Sequence, residues 1–149
     1  MTEHEIKEYL YNNIPLAKAM NVEVINVSKY SLTLKAPLSS NSNMHGTAFG
    51  GSLSSIALLT GWSLIHSQIT DQWLPAGDLV IAEANILFEK PVATDLVAQA
   101  KLDQPSFVSF IEKYKEKGRA KLTVEIEVLT DKGTGCRTTG TYAFIQQTV

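Results

Sequence analysis

The residues best able to do chemistry lie together at positions 41–53, Asn-Ser-Asn-Met-His-Gly-Thr-Ala-Phe-Gly-Gly-Ser-Leu. Phosphate cradling, a serine nucleophile, metal binding and carbonyl polarisation are all open to such a set. Gly46 and Gly51 have the spacing of a phosphate loop. Ser52 and Leu53 stand where that loop needs a lysine and a hydroxyl, so nothing would reach a terminal phosphate. Gly50-Gly51-Ser52-Leu53-Ser54 approaches a nucleophile elbow but lacks the closing glycine, and the one later histidine is His66. Ser52 reads better as a helix N-cap. His4, His45 and His66 share no ligand spacing and have no acidic cluster beside them, so neither a metal nor a cofactor is expected. His66, within an apolar run, reads as a core or interface histidine.

Carbonyl polarisation survives this comparison. The first turn of a helix leaves backbone N–H groups unpaired and carries partial positive charge. Gly50 and Gly51 would let a ligand approach that turn with no Cβ in the way. A thioester oxygen placed there would be stabilised as it gains charge. Asn43 and His45, just upstream, would position water or the carbonyl. The plain alternative is a glycine-rich helix entry in which Asn43 and His45 serve only as turn residues.

These residues need a scaffold, and the pattern of the chain supplies one. Thr2-Glu-His-Glu5 has the form of a capping box for a first helix ending near Asn12–Asn13, before Pro15. Residues 15–20 have room for one more turn. Alternation over 21–28 and 30–37 reads as two strands, with a bulge near Val24–Ile25. A long apolar helix of about 50–69 follows. It is too interrupted by hydroxyls, His66 and Gln68 to supply the roughly 20 apolar residues of a bilayer span. A strand over 79–89 carries Val80, Ala82, Ala84, Ile86 and Phe88 on one face, and Leu79, Ile81, Glu83, Asn85 and Leu87 on the other. Another strand holds Leu96, Ala98, Ala100 and Leu102.

Phe107, Phe110, Ile111 and Tyr114 mark a helix capped by Asp103 or Ser106 and closed by Gly118. Two long strands end the chain, joined at residues 131–135 by a hairpin turn. The first buries Ala120, Leu122, Val124, Ile126 and Val128. An antiparallel sheet with one apolar face needs a cover, and the long helix is the natural one. The expected class is therefore α+β, a sheet wrapped around one buried helix.

The 149 residues suit a single domain spanning 1–149. An apolar fraction of 44% permits a real core, and a net charge of −2 with no basic tract argues against nucleic acid as a partner. Cys136 is the lone cysteine, which fits a reducing cytoplasm. The charged start, Met-Thr-Glu-His-Glu, lacks the apolar core of a signal peptide, and no membrane segment is expected.

At this point the chain resembles the hotdog-fold thioesterases. The segment Asn43-Met-His-Gly-Thr-Ala-Phe-Gly-Gly-Ser-Leu53 is similar to their N-x-x-G-x-x-H-G-G entry to the central helix. Ile86-Leu-Phe-Glu-Lys-Pro-Val92 and the closing strands from Gly118 resemble theirs as well. Gly46-Thr-Ala-Phe-Gly-Gly-Ser-Leu53 with Trp62 resembles, more narrowly, a thioesterase domain sometimes fused behind an N-acetyltransferase. The resemblance implies a curved antiparallel sheet around a central helix, and homodimers or dimers of dimers with a continuous sheet. It implies an acyl-CoA or acyl-carrier-protein substrate.

It also implies that Asn43, Gly50 and Gly51 line the thioester site. Phe49 stands where many relatives have histidine. The helix position where relatives carry an acid falls on Leu58 or Ser54, depending on the alignment, and no Asp or Glu occurs between Leu38 and Thr70. The candidate catalytic residues are thus Asn43, His45, Gly51 and Glu83. His45 is a candidate base, and Glu83, beside Asn85, is a water activator if its strand face meets the helix entry. Phe49, Gly50, Ser52 and Asn85 are the candidate substrate-binding residues. Lys90, Arg119 and Arg137 are candidates for CoA phosphates. The expected activity is thioester hydrolysis. The alternatives are acyl binding without hydrolysis, which the missing helix acid favours, and a dehydratase, which that same absence disfavours.

Overall fold

The computed structural model describes residues 1–148. Helix α1 (Glu3–Asn13) begins with the expected capping box. The Glu5 N–H donates to Thr2 Oγ1 at 3.2 Å and the Thr2 N–H to Glu5 Oε2 at 2.8 Å. Ile14 is extended, as a residue before proline prefers, and α2 (Pro15–Ala19) adds the short turn. Then come β1 (Glu23–Val27), β2 (Ser31–Ala36), α3 (Gly50–Ile69), β3 (Gly77–Phe88), β4 (Leu96–Lys101), α4 (Gln104–Lys117), β5 (Arg119–Thr130) and β6 (Gly133–Gln146). The six strands form one antiparallel sheet in the order β1-β2-β4-β5-β6-β3.

The expected α+β architecture is present. The curved sheet turns its apolar face, including Leu32, Leu34, Ala98, Ile126 and Tyr142, onto α3. Helix α3 buries Leu53, Ile56, Ala57, Leu64, Ile65 and Ile69, and the hydroxyls of Ser54, Thr60 and Ser67 fold back onto its own carbonyls. Ser54 donates to Gly50 O at 2.9 Å and Ser67 to Leu64 O at 2.8 Å, which is how a buried helix tolerates them. Among the described residues no helix is long and apolar enough to cross a membrane. Asp103 caps α4, accepting from the Ser106 N–H at 3.1 Å, and Gly118 closes it at φ 72°.

Two readings from sequence need correction. Ser52 is not the N-cap of α3. Phe49 holds that place with extended backbone, and no side chain caps the helix. The faces of β3 also differ from simple alternation. A bulge lies between Ile81 and Glu83, opposite Tyr142 and Thr141. The extra residue switches parity. Leu79 and Ile81 face α3, opposite Phe144 and Tyr142, and beyond the bulge so do Ala84, Ile86 and Phe88. Glu83, Asn85 and Leu87 pair with Thr141, Thr139 and Arg137 on the outer face. The bulge near Val24 in β1 is where the pattern put it.

Candidate active site at the entry of the central helix

The segment before α3 is a small hairpin. The Phe49 N–H donates to Asn41 O at 2.8 Å, the Asn43 N–H to Thr47 O at 2.8 Å, and the Ala48 N–H to Val92 O at 2.7 Å. Gly46 sits at φ 75°, the left-handed conformation that the turn requires. Asn43 builds that turn. Its Oδ1 accepts from the His45 N–H at 2.8 Å and the Thr47 N–H at 3.2 Å, while its Nδ2 donates to Thr47 Oγ1 at 2.9 Å. His45 is thereby held at the tip with an exposed ring. Asn41, buried, ties the loop to the core by donating to Met20 O at 3.0 Å and Pro37 O at 2.8 Å.

The helix entry itself is bare. The first helical bond runs from the Leu53 N–H to Phe49 O at 3.0 Å. The N–H groups of Gly50, Gly51 and Ser52 therefore have no acceptor within the helix, and no side chain caps them. Two exposed rings flank the turn. A Cβ on Gly51 would lie 2.9 Å from Phe49 Cζ, and one on Gly50 would lie 3.7 Å from Phe88 Cε1. Glycine at 51 is what lets the Phe49 ring fold across the turn.

An apolar slot of about 420 Å³ lies along α3, starting one turn past the entry at Ser55. Ser55, Leu58, Leu59 and Trp62 line it from the helix, Leu79 and Ile81 from β3, and Leu16 and Met20 from the α2 region. Those four helix residues recur at helical spacing on the face that also carries Gly51. The Trp62 Nε1–H donates to Leu79 O at 2.8 Å, pinning the indole across the gap between α3 and β3. Behind it His66 stacks at 4.6 Å between ring centroids, with Tyr9 4.5 Å from His66. Burial, helped by the positive amino terminus, holds the His66 imidazole below its usual pKa. The Tyr142 hydroxyl donates to Leu58 O at 2.6 Å, and burial pushes its pKa up, away from any acid–base role near neutrality.

Asn43, His45, Phe49, Gly50, Gly51 and Ser52 are thus gathered at one place. Glu83 and Asn85 are not brought there within one chain, because the β3 bulge turns them to the outer face. Arg137 is already engaged, bonding Glu89 at 3.0 Å and Glu127 at 2.6 Å. Lys90 donates to Lys132 O at 2.6 Å. Among the described residues, the hydrogen bonds of the 41–49 loop stay within it or go to Met20, Pro37, Leu38, Leu53 and Val92, and none reaches a carboxylate. Asn41, Ser55 and Phe88 were not singled out from sequence as site residues. Only Ser55 left a signal there, its spacing from Leu59 and Trp62.

A curved antiparallel sheet enclosing a long helix defines the hotdog class, and solved hotdog proteins superpose closely. A "putative thioesterase" from Shewanella oneidensis matches with a TM-score of 0.85 at 24% identity, over 96% of each chain. A protein of unknown function from Chlorobaculum tepidum gives 0.88 at 24% identity, over 97% of this chain and 94% of that one. A thioesterase from Haemophilus influenzae gives 0.74 at 14% identity, over 98% of this chain and 92% of that one. At these identities the likeness establishes the fold. The family model described as "Putative thioesterase (yiiD_Cterm)" matches residues 3–146, and the chain belongs to that family.

Proposed function

We propose that the protein hydrolyses acyl thioesters, of CoA or of an acyl carrier protein. One observation carries the reading: a helix N-terminus with three unpaired amides, those of Gly50, Gly51 and Ser52, stands one turn before an apolar slot that the Gly51 face of the same helix lines. The acyl chain occupies the slot. The thioester oxygen meets the Gly50, Gly51 and Ser52 amides, which are fixed before charge develops on it. Attack by water needs a base. His45 and His66 are the only ionisable side chains between Leu38 and Ile69. His66 is stacked behind Trp62, at the far end of the slot, so His45 takes the part and Asn43 positions it. The proton passes from water to the imidazole and then to the leaving thiolate.

We further propose that the working unit pairs two copies along β3. That strand is a sheet edge of 12 residues exposing Val80, Ile81, Leu87 and Phe88. Such an edge invites another strand. Pairing would leave Glu83 and Asn85 near the junction, the one route by which they join a site. A cytoplasmic setting suits the single, buried Cys136.

Thiol release from a panel of acyl-CoA esters tests the activity. Turnover is expected with the wild type, and His45→Ala should lower kcat about 100-fold with the fold intact. Asn43→Ala should lower it less, through a loosened turn. The absence of any carboxylate bonded to the helix-entry loop among the described residues favours a second reading, a protein that binds acyl thioesters without cleaving them. Thermal stabilisation by every ester with no thiol released would establish that reading and remove the first.

A further inference from the structure

We infer that the slot takes a straight, unsubstituted acyl chain of about eight to ten carbons, measured by Trp62 as its end wall. The inference rests on the thioester reading, because the count starts where the helix amides hold the carbonyl. From Gly51 to Trp62 the helix rises about 16 Å, at about 1.5 Å per residue. A helical side chain leans over the preceding turn, so the indole shortens that run by several ångströms. A zigzag carbon chain advances about 1.3 Å per bond, which fills the remainder with about eight to ten carbons.

The end wall is built to stay. Trp62 is tied to Leu79 O at 2.8 Å and lies nearly parallel to His66, at 13° between ring planes. Tyr9 closes the stack, 5.8 Å from Trp62 and 4.5 Å from His66. Three rings fill the space that a longer chain would need. The walls also reject polarity. The Trp62 N–H and the Tyr142 hydroxyl already donate to the Leu79 and Leu58 carbonyls. The remaining lining hydroxyl, Ser55, lies one turn from Gly51, at the carbonyl end of the slot. A hydroxyl or carboxylate farther down the chain would lose water and find those donor hydrogens already spent.

The test uses S-alkyl-CoA thioethers, which cannot be hydrolysed, with chains from four to sixteen carbons, titrated calorimetrically. Affinity should rise about fourfold per added methylene and level off at about eight to ten carbons. A terminal hydroxyl on the longest chain that fits should cost at least tenfold. Trp62→Ala should move the break at least two carbons longer. Leu58→Phe, which narrows the slot without touching the stack, should move it shorter, and it serves alone if Trp62→Ala does not fold. Affinity rising steadily through sixteen carbons in the wild type would overturn the inference. So would a break at one length in all variants, or no thioether binding. Thiol release from esters is scored separately, so a protein that measures chain length without cleaving loses only the hydrolase reading.

Discussion

The two ends of α3 are built on opposite plans. At the N-terminus, glycines, uncapped amides and the exposed rings of Phe49 and Phe88 leave polar groups without partners. Twelve residues on, Trp62, His66 and Tyr9 stack, and the indole N–H is bonded to Leu79 O. An unsatisfied helix start weakens a fold, whereas a packed aromatic stack strengthens it. The difference teaches where to look for function: the end that gains least from its own contacts is the one suited to a ligand. Substitutions at the far end should therefore act on stability, and those at the near end on turnover.

The sharpest break in that contrast is Trp62→Ala. It removes the half-buried indole and its hydrogen bond, and should cost about 2–4 kcal/mol in urea unfolding. His45→Ala is the mirror case. Its exposed ring should be worth less than about 0.5 kcal/mol to stability, so the same unfolding curves should nearly overlay while kcat falls. Acid should act at the far end. The folded state holds His66 below its ordinary pKa, so the unfolded chain binds the proton more readily. Its contribution to stability is complete above the unfolded value of about 6.5 and is lost as pH falls through the lower folded value. His66→Phe should flatten the drop in urea midpoint between pH 7.5 and pH 5, and an unchanged drop would assign the pH dependence elsewhere. The smallest effects separate real caps from apparent ones. Thr2→Ala dismantles a capping box and should cost about 1 kcal/mol, while Ser52→Ala, which removes no cap, should stay within about 0.5 kcal/mol.

Much of this arrangement was legible in the chain, and for definite reasons. Strand β5 alternates Ala120, Leu122, Val124, Ile126 and Val128 with charged or polar neighbours, so its buried face could be assigned without ambiguity. Helix α3 is apolar on most sides and opens on two glycines, so both its burial and its start could be read. The β3 bulge could not. Val80, Ile81, Ala82 and Ala84 suit either face, and one extra residue sends Glu83 and Asn85 outward. Ser52 looked like a cap because hydroxyls favour that place. The cap position is instead fixed by the Phe49 N–H bonding to Asn41 O across the hairpin, a contact that local propensity does not encode. The Trp62–Leu79 tie and the Tyr142 hydroxyl on Leu58 join residues distant in sequence, so the slot emerged only with the fold.

Gly50 allows the central claim to be tested at a single amide. It occupies the first helical position, after a Phe49 already extended at ψ 135°, so proline fits there and deletes only the N–H. Gly50→Ala is the control, since its Cβ finds ordinary contact with Phe88 at 3.7 Å and the N–H is kept. The measurement is kcat/KM for thiol release from a straight-chain acyl-CoA by wild type, Gly50→Ala and Gly50→Pro. If the helix amides hold the thioester oxygen, the alanine variant stays within a few-fold of wild type and the proline variant falls about 100-fold, the usual loss of one such donor. Equal turnover by the proline and alanine variants would contradict it.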